Sequence, residues 1–400
     1  GIAMRATILD GSAAGDTVGE RVGAAIEHRL EAIGWSVGRT ILREKTIAPC
    51  AGDLGCWVQT PGVCRIADDN RPIAEAVARS DLLVCLTPVT FGGYSSILKR
   101  MVDHLIQNFA LSVTEIDGEV HTGKRYEANP DLLAVGWLDE PDAQAETVFR
   151  HLIQRNALNM HAGMHAGTHV SVVVAADVSD GELQALVREA TGDVIDGRST
   201  PPSALPAQLP GSQRIEVRRA LLLVGSPMSR SSTSHSLGGY LHEQLVDRSI
   251  GSRTVFVHQA MRSATKTDAL IDAIDAVDLV TLAFPLHIDS LPAPVIQMLE
   301  MLAAHRRGSA SPTLLAAIVN SGMPESHQCA TALAICRLFA QRAGFAWAGS
   351  LVLGSGNLVV GGGPLTEGRH APIRKALGIA AGELAEGRSI PNAAQELMGS

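Results

Sequence analysis

The chain has 400 residues, of which 46% are hydrophobic and 4% aromatic, and its formal net charge is −8. This length supplies enough apolar residues for two domains with separate cores. The modest negative charge argues against a basic nucleic-acid-binding surface and against an anionic membrane as partner.

In the first half of the chain, short runs rich in Val, Leu and Ile alternate with helical patterns. The runs predict strands at 7–10, 36–42, 82–87, 132–137 and 170–175, and the segments between them predict helices at 18–33, 73–80, 95–107, 143–160 and 180–190. This alternation is typical of βαβ units whose parallel sheet is buried on both faces. An Asp-Gly pair within 116–120 predicts an additional hairpin.

A proline-rich stretch separates the two halves of the chain. Residues 201–210 contain four prolines and show no apolar periodicity, which favours an extended linker. The sequence therefore predicts a first domain at 1–197, a linker at 198–217 and a second domain at 218–400.

The second half repeats the order of the first. Its apolar runs predict strands at 220–224, 254–257, 279–283, 314–319 and 350–353, again with helices between them. Because an internal repeat of this size describes a whole domain, we expect two tandem α/β domains, each with a doubly wound five-stranded parallel sheet. Ligands of such sheets bind at the carboxyl ends of the strands.

The loop after the first strand of each copy is rich in small and hydroxyl-bearing residues. A loop that opens a helix presents backbone N–H groups and the positive helix end to an anion, so both loops are candidate phosphate sites. The candidate ligands are Ser12 and Thr17 in the first copy and Ser226, Ser229, Arg230, Ser231, Ser232 and Ser234 in the second. In the first copy Asp16 would repel a phosphate. The alternative is that both loops are ordinary helix N-caps.

The loops after the third and fourth strands are expected at the same edge of each sheet. Their backbone groups are suited to bind the polar edge of a flat ring. The candidate ring-binding residues are Pro88, Val89, Thr90, Phe91 and Gly92 in the first copy and Pro285, Leu286, His287, Ser321 and Gly322 in the second. Catalytic residues are not identified by the sequence, with His287 as the one weak candidate for a proton donor. It is equally compatible with ring stacking or with an exposed loop.

These motifs resemble the flavodoxin-like NAD(P)H-dependent FMN reductases, and within them the branch that includes the iron–sulfur flavoproteins. In the first copy, the resemblance rests on the strand, the Gly-Ser loop, the segment 87–92 and the helix that follows it at 96–103. In the second copy it rests on 225–227, 285–287 and 320–325. The resemblance implies that the first loop holds the FMN phosphate and that the later loops hold the isoalloxazine ring. The family's first loop carries an arginine two places after the serine, where this chain has Ala14 and Met228, and Arg230 is a candidate substitute.

The resemblance implies an FMN-dependent oxidoreductase that passes electrons from NAD(P)H to a quinone, a flavin or a similar small acceptor. It also implies a homodimer or an intramolecular pseudo-dimer. Two alternatives stay open, a non-enzymatic electron carrier of the flavodoxin type and a scaffold that has lost FMN in one or both domains. Without a long apolar run or a signal-peptide pattern, we expect a cytoplasmic protein with no membrane partner.

The cysteine segment 50–64 has the outline of the motif that binds a [4Fe–4S] cluster in the iron–sulfur flavoproteins. Cys50, Cys56 and Cys64 match this outline, but Asp53 stands where the motif has a further cysteine. Since thiolates are the usual ligands of such clusters, we predict no metal and favour a structural loop. A cluster and a redox-active thiol remain the alternatives.

Overall fold

The computed structural model describes residues 1–163, 168–205, 207, 211, 214–307 and 312–399. The chain divides into two compact units, of which the first contains Gly1–Cys50 and Leu54–Leu205 and the second contains Ala51–Asp53 and Pro206–Ser400. Within the predicted linker, residues 206, 208–210, 212 and 213 lie outside the described part of the chain. The predicted limits of the linker at 198 and 217 stay a prediction.

The first unit alternates strands and helices in the predicted order. Its elements are β1 (Arg5–Asp10), α1 (Thr17–Ala32), β2 (Ser36–Ile41), α2 (Gly55–Val58), α3 (Asn70–Ala78), β3 (Leu82–Pro88), α4 (Ser96–His104), β4 (Phe109–Ile116), β5 (Glu119–Lys124), β6 (Asp131–Leu138), α5 (Ala143–Asn159), β7 (His169–Ala175) and α6 (Asp180–Ile195). All five predicted sheet strands are present, with ends that shift by at most two residues, and the hairpin is present but spans 109–124 instead of 116–120.

The five-stranded sheet of the first unit is parallel throughout and has the order β2-β1-β3-β6-β7. This is the doubly wound order of flavodoxin-like folds. The central strands β3 and β6 are mostly apolar and are buried except at their ends, because helices cover both faces of the sheet. The separate hairpin β4-β5 turns at Asp117 and Gly118, whose positive φ values of 52° and 82° explain the preference for Asp-Gly there.

The second unit contains the corresponding elements and several added helices. Its elements are β8 (Arg219–Val224), α7 (Thr233–Val246), β9 (Gly251–Phe256), α8 (Val257–Ala260), α9 (Ala264–Asp275), β10 (Leu279–Pro285), α10 (Ala293–His305), β11 (Thr313–Asn320), α11 (Ala330–Ala343), β12 (Phe345–Leu353), α12 (Gly356–Val359), α13 (Ala371–Ala385) and α14 (Asn392–Met398). Helices α13 and α14 contribute Leu377, Leu384 and Met398 to the core around α7.

The second sheet is also parallel, in the order β12-β11-β10-β8-β9. Read from the other edge, this is the same order as in the first unit, so two tandem flavodoxin-like sheets are confirmed. Strand β12 begins five residues earlier than predicted. The pairing of β11 with β12 shifts register there, and Gly349 has a φ of 89°. Such an irregularity interrupts the period-two pattern and hides the first half of the strand from sequence reasoning.

A buried histidine in the second core makes stability depend on pH. His242 on α7 is 4% exposed and its ring nitrogens lie 2.6 Å from the Ser252 hydroxyl and 3.1 Å from the Thr281 hydroxyl. Burial lowers the pKa of His242 to about 4. As the pH falls, the unfolded chain therefore takes up a proton on His242 before the folded chain does. The contribution of His242 to the free energy of unfolding is complete above the ordinary histidine pKa and is lost as the pH falls toward 4.

We expect the second unit to lose about 2 kcal/mol of stability between about pH 7 and about pH 5 from this group alone. Urea unfolding at the two pH values measures the loss. His242→Gln, which keeps an amide for hydrogen bonding, should flatten the pH dependence by that amount, whereas the exposed His28→Gln should not. An unchanged pH dependence in His242→Gln would contradict the assignment.

Within the described ranges, no helix is both long and apolar enough to cross a membrane.

Candidate functional site

In each unit the loops after three neighbouring strands leave the carboxyl edge of the sheet together. Backbone bonds join them: Gly11 N–H donates to Leu86 O at 2.8 Å, and Val89 N–H donates to Trp137 O at 2.9 Å. In the second unit Gly225 N–H donates to Ala283 O at 2.7 Å, and Leu286 N–H to Asn320 O at 2.8 Å. The sequence-predicted residues of each unit are therefore brought to one edge.

In the first unit, one ion pair and several hydrogen bonds hold the loop after β1. The buried Asp10 carboxylate accepts hydrogen bonds from the Ser12 amide and hydroxyl, at 2.9 and 2.6 Å, and pairs with Arg39 at 2.7 Å. Arg43 donates to the Ser12 hydroxyl oxygen at 3.0 Å. Both nearby guanidinium groups are thus bonded to the loop itself, and Thr17 lies exposed at the start of α1.

The N-terminus of α1 is occupied by the chain's own carboxylate. Asp16 caps the helix by accepting from Gly19 N–H at 3.0 Å, and its second oxygen accepts the indole N–H of Trp137 at 2.9 Å. The buried indole lies so close to Gly19 that a Cβ there would meet its ring at 2.9 Å. Glu20 adds a second acid in the first turn. These residues do not fit a phosphate monoester, because the carboxylates of Asp16 and Glu20 would repel it and the Trp137 indole lies against the start of the helix.

The N-terminus of α7 in the second unit has the opposite character. Its cap is the neutral Ser232, whose hydroxyl oxygen accepts from His235 N–H at 3.0 Å, and no acidic residue stands in the first turn. The exposed Arg230 lies beside it, with its guanidinium carbon 5.3 Å from the centre of the Phe256 ring. A positive helix end with hydroxyls and an arginine fits a phosphate group.

Two asparagines and a glycine-rich segment complete this edge. Sequence reasoning included Asn320 in the segment 320–325 without singling it out, and it missed Asn357 and the glycines. The hydroxyl of Ser234 donates to Asn320 Oδ1 at 2.8 Å, and that of Thr233 to Asn357 Oδ1 at 3.4 Å. After β12, Gly362 has a φ of 78° and comes so close to the Ser231 carbonyl that a side chain would not fit. Four glycines in 354–362, directly after a strand, were the available signal.

The proline loops of the two units form the same tight turn. Thr90 and Gly93 exchange both backbone hydrogen bonds, at 2.9 and 2.8 Å, and His287 and Ser290 do so at 2.9 and 3.2 Å. The two central residues of each turn have positive φ, as in type I′ turns. These residues are Phe91 and Gly92 at 51° and 85°, and Ile288 and Asp289 at 45° and 64°.

The turn of the second unit carries features of a ligand-binding site. Ile288 is β-branched, so its positive φ is costly, and strain of this kind concentrates at functional sites. Ser290 is fully buried and its hydroxyl has no hydrogen-bond partner among the described residues. An unsatisfied buried hydroxyl beside this edge fits the polar margin of a flavin ring.

The loop after β11 adds the buried Ser321 and the exposed Gly322 to this edge. The Ser321 hydroxyl accepts from Met323 N–H at 3.1 Å, and the Ser321 carbonyl accepts from Gly356 N–H at 2.9 Å. Gly322 is exposed, and a Cβ on it would meet no atom within 4 Å. His287 is half-buried in the preceding turn, and its role as proton donor stays a prediction.

Cys50, Cys56 and Cys64 are half-buried and reduced. Within the described parts of the chain, no group of three or more His, Cys, Asp or Glu side chains is placed to hold a metal ion.

Comparison with known families and structures gives one family match and several structural likenesses. Residues 4–124 match the sequence model of the family described as NADPH-dependent FMN reductase. A comparison with curated protein sequences gave no match. A putative quinone reductase from Klebsiella pneumoniae is 15% identical over 44% of this chain and 87% of that chain, with a TM-score of 0.34. The NAD(P)H:quinone oxidoreductase from Methanothermobacter marburgensis is 13% identical over 42% of this chain and 100% of that chain, with a TM-score of 0.32.

The family match covers β1 to β5 and lies within the first unit except for residues 51–53, while the second unit repeats the sheet order, the proline turn and the loop arrangement of the first. The chain is therefore a tandem of two flavodoxin-like domains, the first of which matches the NADPH-dependent FMN reductase family over residues 4–124.

Proposed function

We propose that the protein is an FMN-dependent oxidoreductase that takes electrons from NAD(P)H and passes them to a small acceptor such as a quinone or a flavin. The family match of the first unit supports the class of reaction. The observation that carries the proposal is the neutral, hydroxyl-lined N-terminus of α7, with Arg230 beside it and the turn 287–290 at the same edge.

We further propose that the second unit alone holds FMN. In the first unit Asp16 and Trp137 fill the corresponding position, and Arg39 and Arg43 are bonded to the loop itself. The first unit then acts as the scaffold half of the tandem, and Ser12 and Thr17 do not serve as phosphate ligands.

In the second unit, one set of residues binds the phosphate of FMN and another binds its ring. Ser226, Ser229, Arg230, Ser231, Ser232 and Ser234 surround the position of the phosphate. Pro285, Leu286 and His287 lie on the ring side, and Ser321 and Gly322 lie in the adjacent loop after β11. When bound, the flavin supplies the redox chemistry, and these groups bind and orient it. The open position at Gly322 leaves room for a ligand above the loop.

The FMN content of the purified protein tests the proposal. We expect a yellow protein that binds one FMN per chain, measured by flavin absorbance after denaturation, and that oxidises NAD(P)H only when an electron acceptor such as a quinone is present. A colourless protein that takes up no added FMN would refute the function, and two FMN per chain would refute the assignment to the second unit. Flavin reduction without any turnover of quinones or flavins would favour an electron carrier.

A further inference from the structure

A cysteine and a histidine from distant parts of the first unit form a pair that the proposed FMN site does not use. The Sγ atom of Cys64, in the loop between α2 and α3, lies 3.6 Å from Nδ1 of His104 at the end of α4. Sulfur-containing hydrogen bonds have this length. The sulfur is half-buried, whereas the imidazole is 1% exposed, so a small reagent can reach the thiol but not its base.

The hydrogen bond on the other side of the ring fixes the role of each nitrogen. Nε2 of His104 lies 2.5 Å from the carbonyl oxygen of Ala48. Because a carbonyl only accepts, Nε2 carries a hydrogen, and Nδ1 is left to accept the proton of the Cys64 thiol. Once Nδ1 is protonated, it donates back to the thiolate. The position of His104 in the last turn of α4 stabilises that cation through the helix dipole.

Neighbouring groups hold the pair in place. The side chain of Gln107 accepts from Cys64 N–H at 2.9 Å and donates to the His104 carbonyl at 2.7 Å, so that one amide ties the two residues together. Arg71 donates to the Cys64 carbonyl at 2.7 Å. Two carboxylates act on the pair as well: Asp68 opposes the thiolate, and Asp103 favours the imidazolium.

The electrostatics of the two groups agree with this geometry. Burial raises the pKa of the Cys64 thiol, but hydrogen bonds from His104 and from the Ile66 backbone outweigh it and lower the pKa overall. Burial lowers the pKa of His104, and its bonds to Cys64 and Ala48 raise it overall. By contrast, burial raises the pKa of Cys85 to about 12. Lowered thiol pKa and partial exposure are the marks of a reactive cysteine.

We propose that Cys64 and His104 form a nucleophilic thiol–imidazole pair whose sulfur reacts with hydroperoxides. The thiolate attacks the terminal peroxide oxygen, so that an S–O bond forms and the O–O bond breaks. The departing alkoxide, or hydroxide from hydrogen peroxide, takes a proton from water, and the proton that His104 accepted from the thiol balances the charge. The thiol is oxidised to a sulfenic acid and the hydroperoxide is reduced to an alcohol or to water. This reaction is independent of FMN and goes beyond the proposed function.

The test is the pH dependence of alkylation of the intact protein by iodoacetamide, with each cysteine peptide quantified by mass spectrometry. We expect Cys64 to reach half its maximal rate at a lower pH than N-acetylcysteine, and to react roughly tenfold faster than it at about pH 6.5. After exposure to hydrogen peroxide, a dimedone adduct should appear at Cys64 and be absent in Cys64→Ser.

His104→Gln separates a nucleophilic pair from a merely structural contact. In a variant that keeps the wild-type circular dichroism spectrum, the pH at which the alkylation rate of Cys64 is half-maximal should rise to that of N-acetylcysteine. An unchanged profile in that folded variant would overturn the proposal. A half-maximal pH for Cys64 in the wild-type protein that equals or exceeds that of N-acetylcysteine would also overturn the proposal, whether or not the variant folds.

Discussion

Replacing Lys99 by methionine should lower the free energy of unfolding of the first unit by about 3–5 kcal/mol. The ammonium of Lys99 lies 2.6 Å from a carboxylate oxygen of Asp103, one turn further along α4, and the two side chains are 0% and 2% exposed. Removal of the cation leaves a carboxylate in a site that water does not reach. The Lys99 ammonium then no longer contributes to offsetting the desolvation of that charge, which is why the cost exceeds that of an ordinary core substitution.

An exposed pair with the same spacing provides the matched control. Arg79 and Glu75 also stand four residues apart with 3.0 Å between their charged atoms, but their side chains are 67% and 64% exposed. Arg79→Met should cost at most about 1 kcal/mol because solvent screens the exposed pair. Urea unfolding of both variants gives the comparison. The double variant Lys99→Met with Asp103→Leu should recover part of the loss, and a Lys99→Met cost no larger than that of Arg79→Met would contradict the role of burial.

Exchange of the α7 cap Ser232 for aspartate should weaken FMN binding by about two orders of magnitude or more. The change reproduces at α7 the carboxylate that Asp16 places at α1. Repulsion between unit charges about 5 Å apart is roughly 3 kcal/mol at an effective dielectric constant of about 20, which corresponds to about 100-fold in Kd. Titration of the apoprotein with FMN, followed by the quenching of flavin fluorescence, measures the change.

Two variants make this result specific. Ser232→Asn keeps a good helix cap without the charge, so it should bind FMN much more tightly than Ser232→Asp. Asp16→Asn in the first unit should change neither the FMN affinity nor the stoichiometry. Normal affinity in a folded Ser232→Asp protein would contradict the proposed phosphate site, and tighter FMN binding at unchanged stoichiometry in Asp16→Asn would place the bound flavin in the first unit.

The order of strands and helices could be predicted because it follows from local patterns. Apolar runs such as 82–87 and 279–283 are short, uninterrupted and flanked by helical periodicity, which is what strands buried on both faces require. The turn at Asp117 and Gly118 was predictable for the same reason, since the two residues determine it alone. The first half of β12 was not predicted, because the register shift is a property of its pairing with β11 and leaves no pattern in the sequence.

The pairing of side chains at the candidate sites was beyond local reasoning. Asp16 and Trp137 are 121 positions apart, and Cys64 and His104 are 40 apart, so no periodicity connects them. The sequence did indicate that the two phosphate loops differ, because Asp16 stands in one loop and has no equivalent in the other. It could not indicate that the Trp137 indole donates a hydrogen bond to the Asp16 carboxylate and lies against the start of α1.

The two proline turns show what the two copies of the domain still share. One turn places Phe91 and Gly92 in its left-handed positions and the other places Ile288 and Asp289 there, so the two turns share no residue at these two positions. Their dihedral angles and their reciprocal hydrogen bonds nevertheless coincide. In this chain the backbone of the turn is therefore retained in both copies although its two central residues differ.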